Sequence, residues 1–118
     1  MDQNIRLIAR VDANGTILYL NSEYLNWLGY ESSEIIGQPA KLLRAPNSSE
    51  PVQKTIRKEC QNNNPISFPV CELKANGEMY WADMRIQPTY ENGEYQGYTS
   101  VKRLLTAPEK IHRAEALY

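Results

Sequence analysis

The sequence predicts an α+β fold, in which a five-stranded antiparallel sheet carries short helices on one face and is followed by a C-terminal helix. Three observations predict it. Apolar and polar residues alternate in strand-like runs, helix-capping residues precede apolar positions at helical spacing, and turn-forming pairs separate the runs at Asn14-Gly15, Asn76-Gly77 and Asn92-Gly93. Because strands joined by tight turns pair antiparallel and commonly cover a core on one side only, the helices are expected on that side.

The N-terminal part of the chain is predicted to be a hairpin that leads directly into a helix. Residues 11–21 form two short strands around Asn14-Gly15, because Asn-Gly accepts the positive φ values of a tight turn. The helix then opens at Asn21 or Ser22, whose side chains can accept hydrogen bonds from free helix amides. A single helical turn capped by Ser32 and ended by Gly37 follows. Residues 40–49 are predicted to be a short turn and loop.

A longer helix is predicted from Ser49, with one buried face formed by Val52, Ile56 and Cys60. Residues 62–65 end it, and three strands follow as two hairpins. In the middle strand, one apolar face alternates with a mixed face. The apolar face consists of Tyr80, Ala82, Met84 and Ile86, and the mixed face of Trp81, Asp83, Arg85 and Gln87.

The C-terminal helix is predicted from a capping box that runs from Thr106 to Glu109, with Pro108 in the first turn. Ile111, Ala114 and Leu117 or Tyr118 then recur at helical spacing. The chain therefore divides into an N-terminal extension (1–6), one domain (7–105) and the start of a helix (106–118).

Composition argues against several classes of function. The chain has 118 residues, of which 42% are hydrophobic, so it can bury one core. Its net charge is -1 without a long run of either sign, so neither nucleic acid nor an anionic membrane is an expected partner. No apolar stretch approaches the roughly 20 residues of a membrane span, which predicts a soluble, cytoplasmic domain.

Catalytic and metal-binding constellations are also missing. Cys60 and Cys71 lack metal-site spacing and are expected to be buried thiols rather than a disulfide. Carboxylates such as Glu72, Asp83 and Glu94 show no pairing that would indicate acid or base catalysis. The sequence therefore predicts neither an enzyme nor a metal site.

Four segments of the chain, 15–21, 28–30, 34–39 and 97–101, resemble the PAS family of sensory domains. Within it, the residues at 37–39, 44–46, 80–81 and the C-terminal helix resemble the PAS domain of aerotaxis receptors, which are chemotaxis transducers; those of the helix are Glu109, Ile111, Ala114, Glu115, Leu117 and Tyr118. The resemblance implies a PAS fold and a sensory module of a larger bacterial-type receptor for chemotaxis or energy taxis, which relays its state through the C-terminal helix. It also implies FAD, cellular redox state as the signal, and a membrane-anchored signalling region elsewhere in the receptor.

The flavin residues of that subfamily are mostly replaced here. It carries histidines where this chain has Ala40 and Ala45, an aspartate at Asn47 and a tryptophan near Ile66. The prediction is therefore a domain without stoichiometric FAD; the alternatives are an FAD-binding redox sensor and a ligand-free protein-docking domain. The cysteine that forms the light-driven adduct in LOV photoreceptors also corresponds to Ala40, so this adduct is not expected.

The candidate pocket consists of Arg44, Asn21, Tyr80, Tyr98 and Lys102, and a small-molecule ligand is expected there. Arg44 either binds a carboxylate or phosphate or caps a local carbonyl, and Lys102 either faces the pocket or reaches solvent by snorkelling. Tyr24 is expected to face the same cavity. Haem with a histidine ligand is not expected, because His112, the one histidine, lies in the C-terminal helix.

The outer face of the sheet is predicted to carry an interface. Trp81 and Met79 lie there, and an exposed tryptophan beside a methionine indicates a covered surface. Either a second copy covers it, which gives a homodimer, or a chain terminus of the same protomer does. In the signalling helix, the candidate functional residues are Thr106, Glu109 and Ile111.

Overall fold

The computed structural model describes residues 5–45, 54, 58 and 66–117. Five strands are present in this part of the chain: β1 (Leu7–Asp12), β2 (Ile17–Leu20), β3 (Ile66–Leu73), β4 (Met79–Glu91) and β5 (Glu94–Leu104). The helical elements are α1 (Ser22–Leu28), α2 (Ser32–Ile35), a 3₁₀ helix (Ala40–Leu43) and α3 (Pro108–Ala116). The predicted helix face of Val52, Ile56 and Cys60 lies outside the described residues, as do Asn47, residues 1–4 and 62–65, and Tyr118; Lys54 and Lys58 are helical.

The sheet has the order β2-β1-β5-β4-β3, and all of its pairs are antiparallel. The five-stranded antiparallel sheet is therefore confirmed. β5 lies between β1 and β4, so that Lys102 is opposite Leu7 on one side and Met84 on the other. At the β3 edge, Glu72 is opposite Tyr80.

The turns show why Asn, Asp and Gly are required. Asn92 and Gly93 have φ values of 52° and 82°, as a two-residue hairpin with a type I′ turn demands. In the first turn, Asp12 Oδ1 accepts hydrogen bonds from the amides of Asn14 and Thr16, both at 2.9 Å. Gly97 has a φ of 124°, and a Cβ atom there would lie 2.0 Å from the Val11 carbonyl oxygen. Only glycine therefore allows β1 and β5 to approach at this point.

The starts of two helices differ from the prediction. Asn21 is the N-cap of α1, as expected, but α2 is capped by Glu31 rather than Ser32, with the Glu31 amide donating to Glu34 Oε1 at 2.8 Å. The predicted capping box at Thr106 is wrong. The N-cap of α3 is Ala107, at φ -72° and ψ 125°, because a residue before proline is held in the extended region. Thr106 is therefore one residue too early to cap the helix.

The core lies between the inner face of the sheet and the N-terminal helices. One group of buried residues joins β1 and β2 to the helices; its members include Leu7, Ile17, Leu20, Tyr24, Leu28, Ile35 and Leu43. A second group on β3 and β4 consists of Val70, Ala82, Met84 and Ile86. The predicted alternation of β4 is confirmed, since Asp83, Arg85 and Gln87 are exposed.

Candidate functional site

A buried polar cluster lies on the inner face of the sheet and consists of Tyr24, Glu72, Tyr80 and Lys102. The Lys102 ammonium donates to Glu72 Oε2 at 2.6 Å and to the Tyr24 hydroxyl oxygen at 2.7 Å. Both tyrosines donate to Glu72 Oε1, Tyr24 at 2.6 Å and Tyr80 at 2.5 Å. One carboxylate thus accepts three hydrogen bonds, from side chains on three different elements.

The elements that carry the cluster fix its geometry. Glu72 and Tyr80 are direct cross-strand neighbours on β3 and β4, whereas Lys102 is on β5 and its side chain must cross β4 to reach Glu72. Tyr24 comes from the first turn of α1, which is fixed by the Asn21 cap at 3.1 Å. Asn21 also accepts a hydrogen bond from the Ile8 amide and donates one to the Arg6 carbonyl. Asn21 therefore joins α1 to β1.

The cluster holds a charged pair away from water. Glu72 and Lys102 are each only 6% exposed. Burial is the main cause that raises the pKa of Tyr24 and Tyr80 above the usual range, and the negative charge of Glu72 adds to it. Both phenols therefore stay protonated and remain donors to the carboxylate.

A cavity of about 50 Å³ adjoins this cluster. Its polar lining comes from Arg44, Glu72, Tyr98, Ser100 and Lys102, and the rest is mostly apolar: Ala9, Val11, Ile17, Leu20, Ala40, Leu43, Val70, Cys71, Met84 and Ile86. Ser100 is completely buried, and its hydroxyl has no hydrogen-bond partner among the residues that the structure describes. The cavity therefore combines a mostly apolar wall with one buried hydroxyl that has no partner among the described residues.

The structure divides the predicted pocket residues into three groups. Lys102, Arg44 and Tyr98 line the cavity. Tyr80 is not in the lining and reaches it only through its hydrogen bond to Glu72. Asn21 does not line the cavity, because its side chain forms hydrogen bonds with the backbone groups of Arg6, Ile8 and Tyr24; its inclusion in the pocket is corrected.

Of the two alternatives for Lys102, the structure supports the one in which it faces the cavity rather than solvent. Its buried ion pair with Glu72 was not predicted from the sequence. Ser100 was missed as well. The alternation of β5 contained the signal, since Tyr98, Ser100 and Lys102 share one face, and the register places Ser100 opposite the buried Ala9 and Ile86.

The other predicted positions have these environments. Cys71 is a buried thiol outside any disulfide, as expected, whereas Cys60 is not among the described residues. On the outer sheet face, Met79 is 60% exposed, but Trp81 is half-buried rather than exposed. In α3, Glu109 is exposed and Ile111 half-buried.

The residues that the structure describes do not provide a ready flavin site. FAD is the cofactor that the resemblance implies, and pockets for ligands of that class enclose about 300–1,000 Å³. The cavity bounded by the described residues is much smaller, at about 50 Å³. In the described ranges there is also no cluster of three or more His, Cys, Asp or Glu side chains able to bind a metal ion. None of the described helices is long and apolar enough to cross a membrane.

Comparison with curated proteins identifies relatives among bacterial sensors. The chain is 27% identical over 112 residues to the aerotaxis receptor of Escherichia coli (strain K12), a match that covers 95% of this chain and 22% of that protein. It is 28% identical over 85 residues to a blue-light-activated histidine kinase of Brucella anthropi, which covers 71% of this chain and 17% of that protein. The chain thus spans about a fifth of the length of these curated relatives.

The fold and the family agree with these matches. The crystal structure of the PAS domain of a protein from Colwellia psychrerythraea is similar with a TM-score of 0.79 and 23% identity, covering 89% of this chain and 91% of that chain. A family model described as a PAS domain matches residues 5–102. This chain therefore belongs to the PAS domain family, and it is a PAS sensory module.

Proposed function

We propose that this PAS domain is the sensory module of a larger bacterial-type receptor for chemotaxis or energy taxis, and that it acts by binding rather than by catalysis. The similarity to an aerotaxis receptor over 95% of the chain supports this assignment. By the same similarity, the domain functions in the cytoplasm, and the membrane is reached only through other parts of the receptor.

The observation that carries the proposal is the position of Lys102. Its side chain belongs both to the buried cluster and to the wall of the cavity. β5 ends at Leu104, two residues further on, and α3 begins at Pro108. A change in the cavity that moves Lys102 therefore acts on the strand that leads into α3.

α3 is suited to respond to such a change. It has nine residues, and a helix of this length is not stable in water without tertiary contacts. Ala114 is 2% exposed, so one face of the helix is packed against the domain, while Leu117 beyond its end is 59% exposed. We infer that the occupied and empty cavity favour two arrangements of α3, and that a ligand shifts their populations by its differential affinity.

The receptor assignment is tested with the full-length protein in its native host. Cells without the gene should form an altered band in an oxygen gradient, and the wild-type gene should restore the band. The gene carrying Lys102→Met should not restore it, whereas the gene carrying Lys110→Met, a change at an exposed position of α3, should. If cells without the gene form the wild-type band, the receptor assignment is wrong.

A flavin-binding redox sensor is the second candidate, favoured by the similarity to an aerotaxis receptor and by the Arg44 and Tyr80 that the chain retains. The small cavity argues against it. An absorption spectrum of freshly purified protein between 350 and 500 nm separates the two. We expect no flavin band, and one flavin per chain released on heating would establish the redox sensor instead.

A homodimer through the outer sheet face completes the proposed partners. Met79, at 60% exposure, would lie at the centre of this contact together with the half-buried Trp81. Single apolar residues at a surface are common, so the proposal depends on their adjacency at one end of β4. A pure docking domain, the third candidate, would use this face and leave the cavity without a ligand.

A further inference from the structure

We propose that the inner cavity binds a carboxylate of two or three carbons, such as acetate or propionate. This inference rests on the proposed sensory function and names the ligand class that the domain would detect. It follows from the charges, the unused donors and the size of the cavity.

The charges that line the cavity favour an anion. Arg44 and Lys102 are cationic, and Glu72 is the one carboxylate in the lining. The Glu72 charge is already compensated, because its oxygens accept hydrogen bonds from Lys102 and the two tyrosines. Within the described ranges the Arg44 side chain forms no ion pair. Among the described residues, the lining therefore retains one uncompensated positive charge.

Two donors remain available beside this charge. The Lys102 ammonium has three N–H groups, of which the cluster uses two. Ser100 is two residues away on the same face of β5, and its buried hydroxyl lacks a partner among the described residues. Native structures rarely leave such a hydroxyl unpaired. A carboxylate offers one oxygen to each of these donors.

The size of the cavity limits the ligand. A buried water molecule needs roughly 10–15 Å³ of such volume, so about 50 Å³ provides room for about three to five non-hydrogen atoms. Acetate has four such atoms and propionate five. The apolar part of the lining, which includes Val11, Leu20 and Ile86, suits the methyl or ethyl group. At the highest affinity that small ligands reach per non-hydrogen atom, acetate binds no tighter than about 4 × 10⁻⁵ M and propionate no tighter than about 3 × 10⁻⁶ M.

The test is an NMR titration of the 118-residue chain with sodium acetate and sodium propionate, at constant ionic strength against sodium chloride. We expect one saturable site, with shifts at residues 98–102. Acetamide, which has the shape of acetate without its charge, should bind at least about tenfold more weakly. Ser100→Ala should weaken the binding of acetate about tenfold, because it removes one hydrogen bond to a charged group.

Two controls keep the result interpretable. Ser67→Ala makes the same change at an exposed position of β3 and should leave acetate affinity unchanged. Ser100→Ala should fold, since it removes an unpartnered buried hydroxyl; Arg44→Gln, at a half-buried position, provides a second weakened variant. The proposal is overturned if acetate gives no saturable shift, if acetamide binds equally well, or if both Ser100→Ala and Arg44→Gln retain the wild-type affinity.

Failure of this proposal differs from failure of the receptor assignment. If acetate does not bind but the gene is needed for the oxygen-gradient band, only the ligand class is wrong. If acetate binds as described but the band does not depend on the gene, the receptor assignment is wrong and the ligand class stands.

Discussion

The buried ion pair between Glu72 and Lys102 provides the sharpest test of how the site is held together. Lys102→Met keeps most of the length of the side chain but removes the ammonium, so that Glu72 loses its ion-pair partner among the described residues. Breaking a buried pair from one side typically costs about 3–5 kcal/mol. Since a domain of this size is stable by about 5–15 kcal/mol, the loss should be a large fraction of the total.

A double-mutant cycle with Glu72→Gln separates the pair from its surroundings. Glu72→Gln alone leaves the ammonium buried without a counterion and should also cost about 3–5 kcal/mol. The double variant contains neither charge, and the side-chain carbonyl oxygen of the introduced glutamine can still accept hydrogen bonds from Tyr24 and Tyr80. Its loss should be smaller than the sum of the two single losses by about 2 kcal/mol or more.

The assay is urea unfolding of the four proteins, with the slope of the transition used to check that each unfolds in one step. Lys110→Met, at an exposed position of α3, is the matched control and should change the free energy of unfolding by less than about 0.5 kcal/mol. If the two single losses sum to within about 0.5 kcal/mol of the loss in the double variant, Glu72 and Lys102 are not coupled and this reasoning is refuted.

Three further predictions concern the phenols, the glycine contact and the outer face. The pKa of Tyr24 and Tyr80 is raised in the folded state. Their contribution to the free energy of unfolding is therefore complete below about pH 10, and above it should fall by about 1.4 kcal/mol per pH unit for each phenol. Urea unfolding against pH should show a smaller alkaline loss in Tyr80→Phe. Gly97→Ala should cost about 3 kcal/mol or more through its contact with the Val11 carbonyl, whereas Gly77→Ala, also at positive φ but in open space, should cost about 1–2 kcal/mol in the same assay. In sedimentation, the wild type should form a dimer that Trp81→Ala weakens by about 2 kcal/mol.

Each of these has a clear contrary result. An alkaline loss of the same size in wild type and Tyr80→Phe would refute the role of the Tyr80 phenol, with Tyr19→Phe, at an exposed position outside the cluster, as the control. Equal losses of unfolding free energy in Gly97→Ala and Gly77→Ala would show that the β1–β5 contact does not require a glycine at position 97. A wild type that stays monomeric at high concentration would exclude the dimer.

Most of the fold could be predicted from the sequence because its signals are local. Asn92-Gly93 requires positive φ values, and the alternation along β4 shows which face is buried. The start of α3 was misplaced because two local rules competed there. The capping-box pattern at Thr106 was outweighed by the backbone restriction that Pro108 places on Ala107.

The site was predicted less well, because it depends on contacts between residues far apart in the chain. Glu72 and Lys102 are 30 positions apart in the chain. They meet only because the strand order places β4 between β3 and β5, so that the long Lys102 side chain can cross β4. Asn21 was assigned to the pocket although its side chain has all the properties of a helix cap. Ser100 could be identified as buried only from the strand register, which places it opposite two buried residues.

Hydrogen exchange of the α3 amides tests most directly whether a change in the buried cluster alters the C-terminal helix. The comparison is between the wild type and the double variant Lys102→Met with Glu72→Gln, with amides of β4 used to correct for global stability. After that correction, the account predicts that protection of Lys110 and Ile111, whose amides donate to the Ala107 carbonyl, changes about tenfold. Protection of these amides that is the same in both proteins would contradict the proposed link from the cluster through β5 to α3.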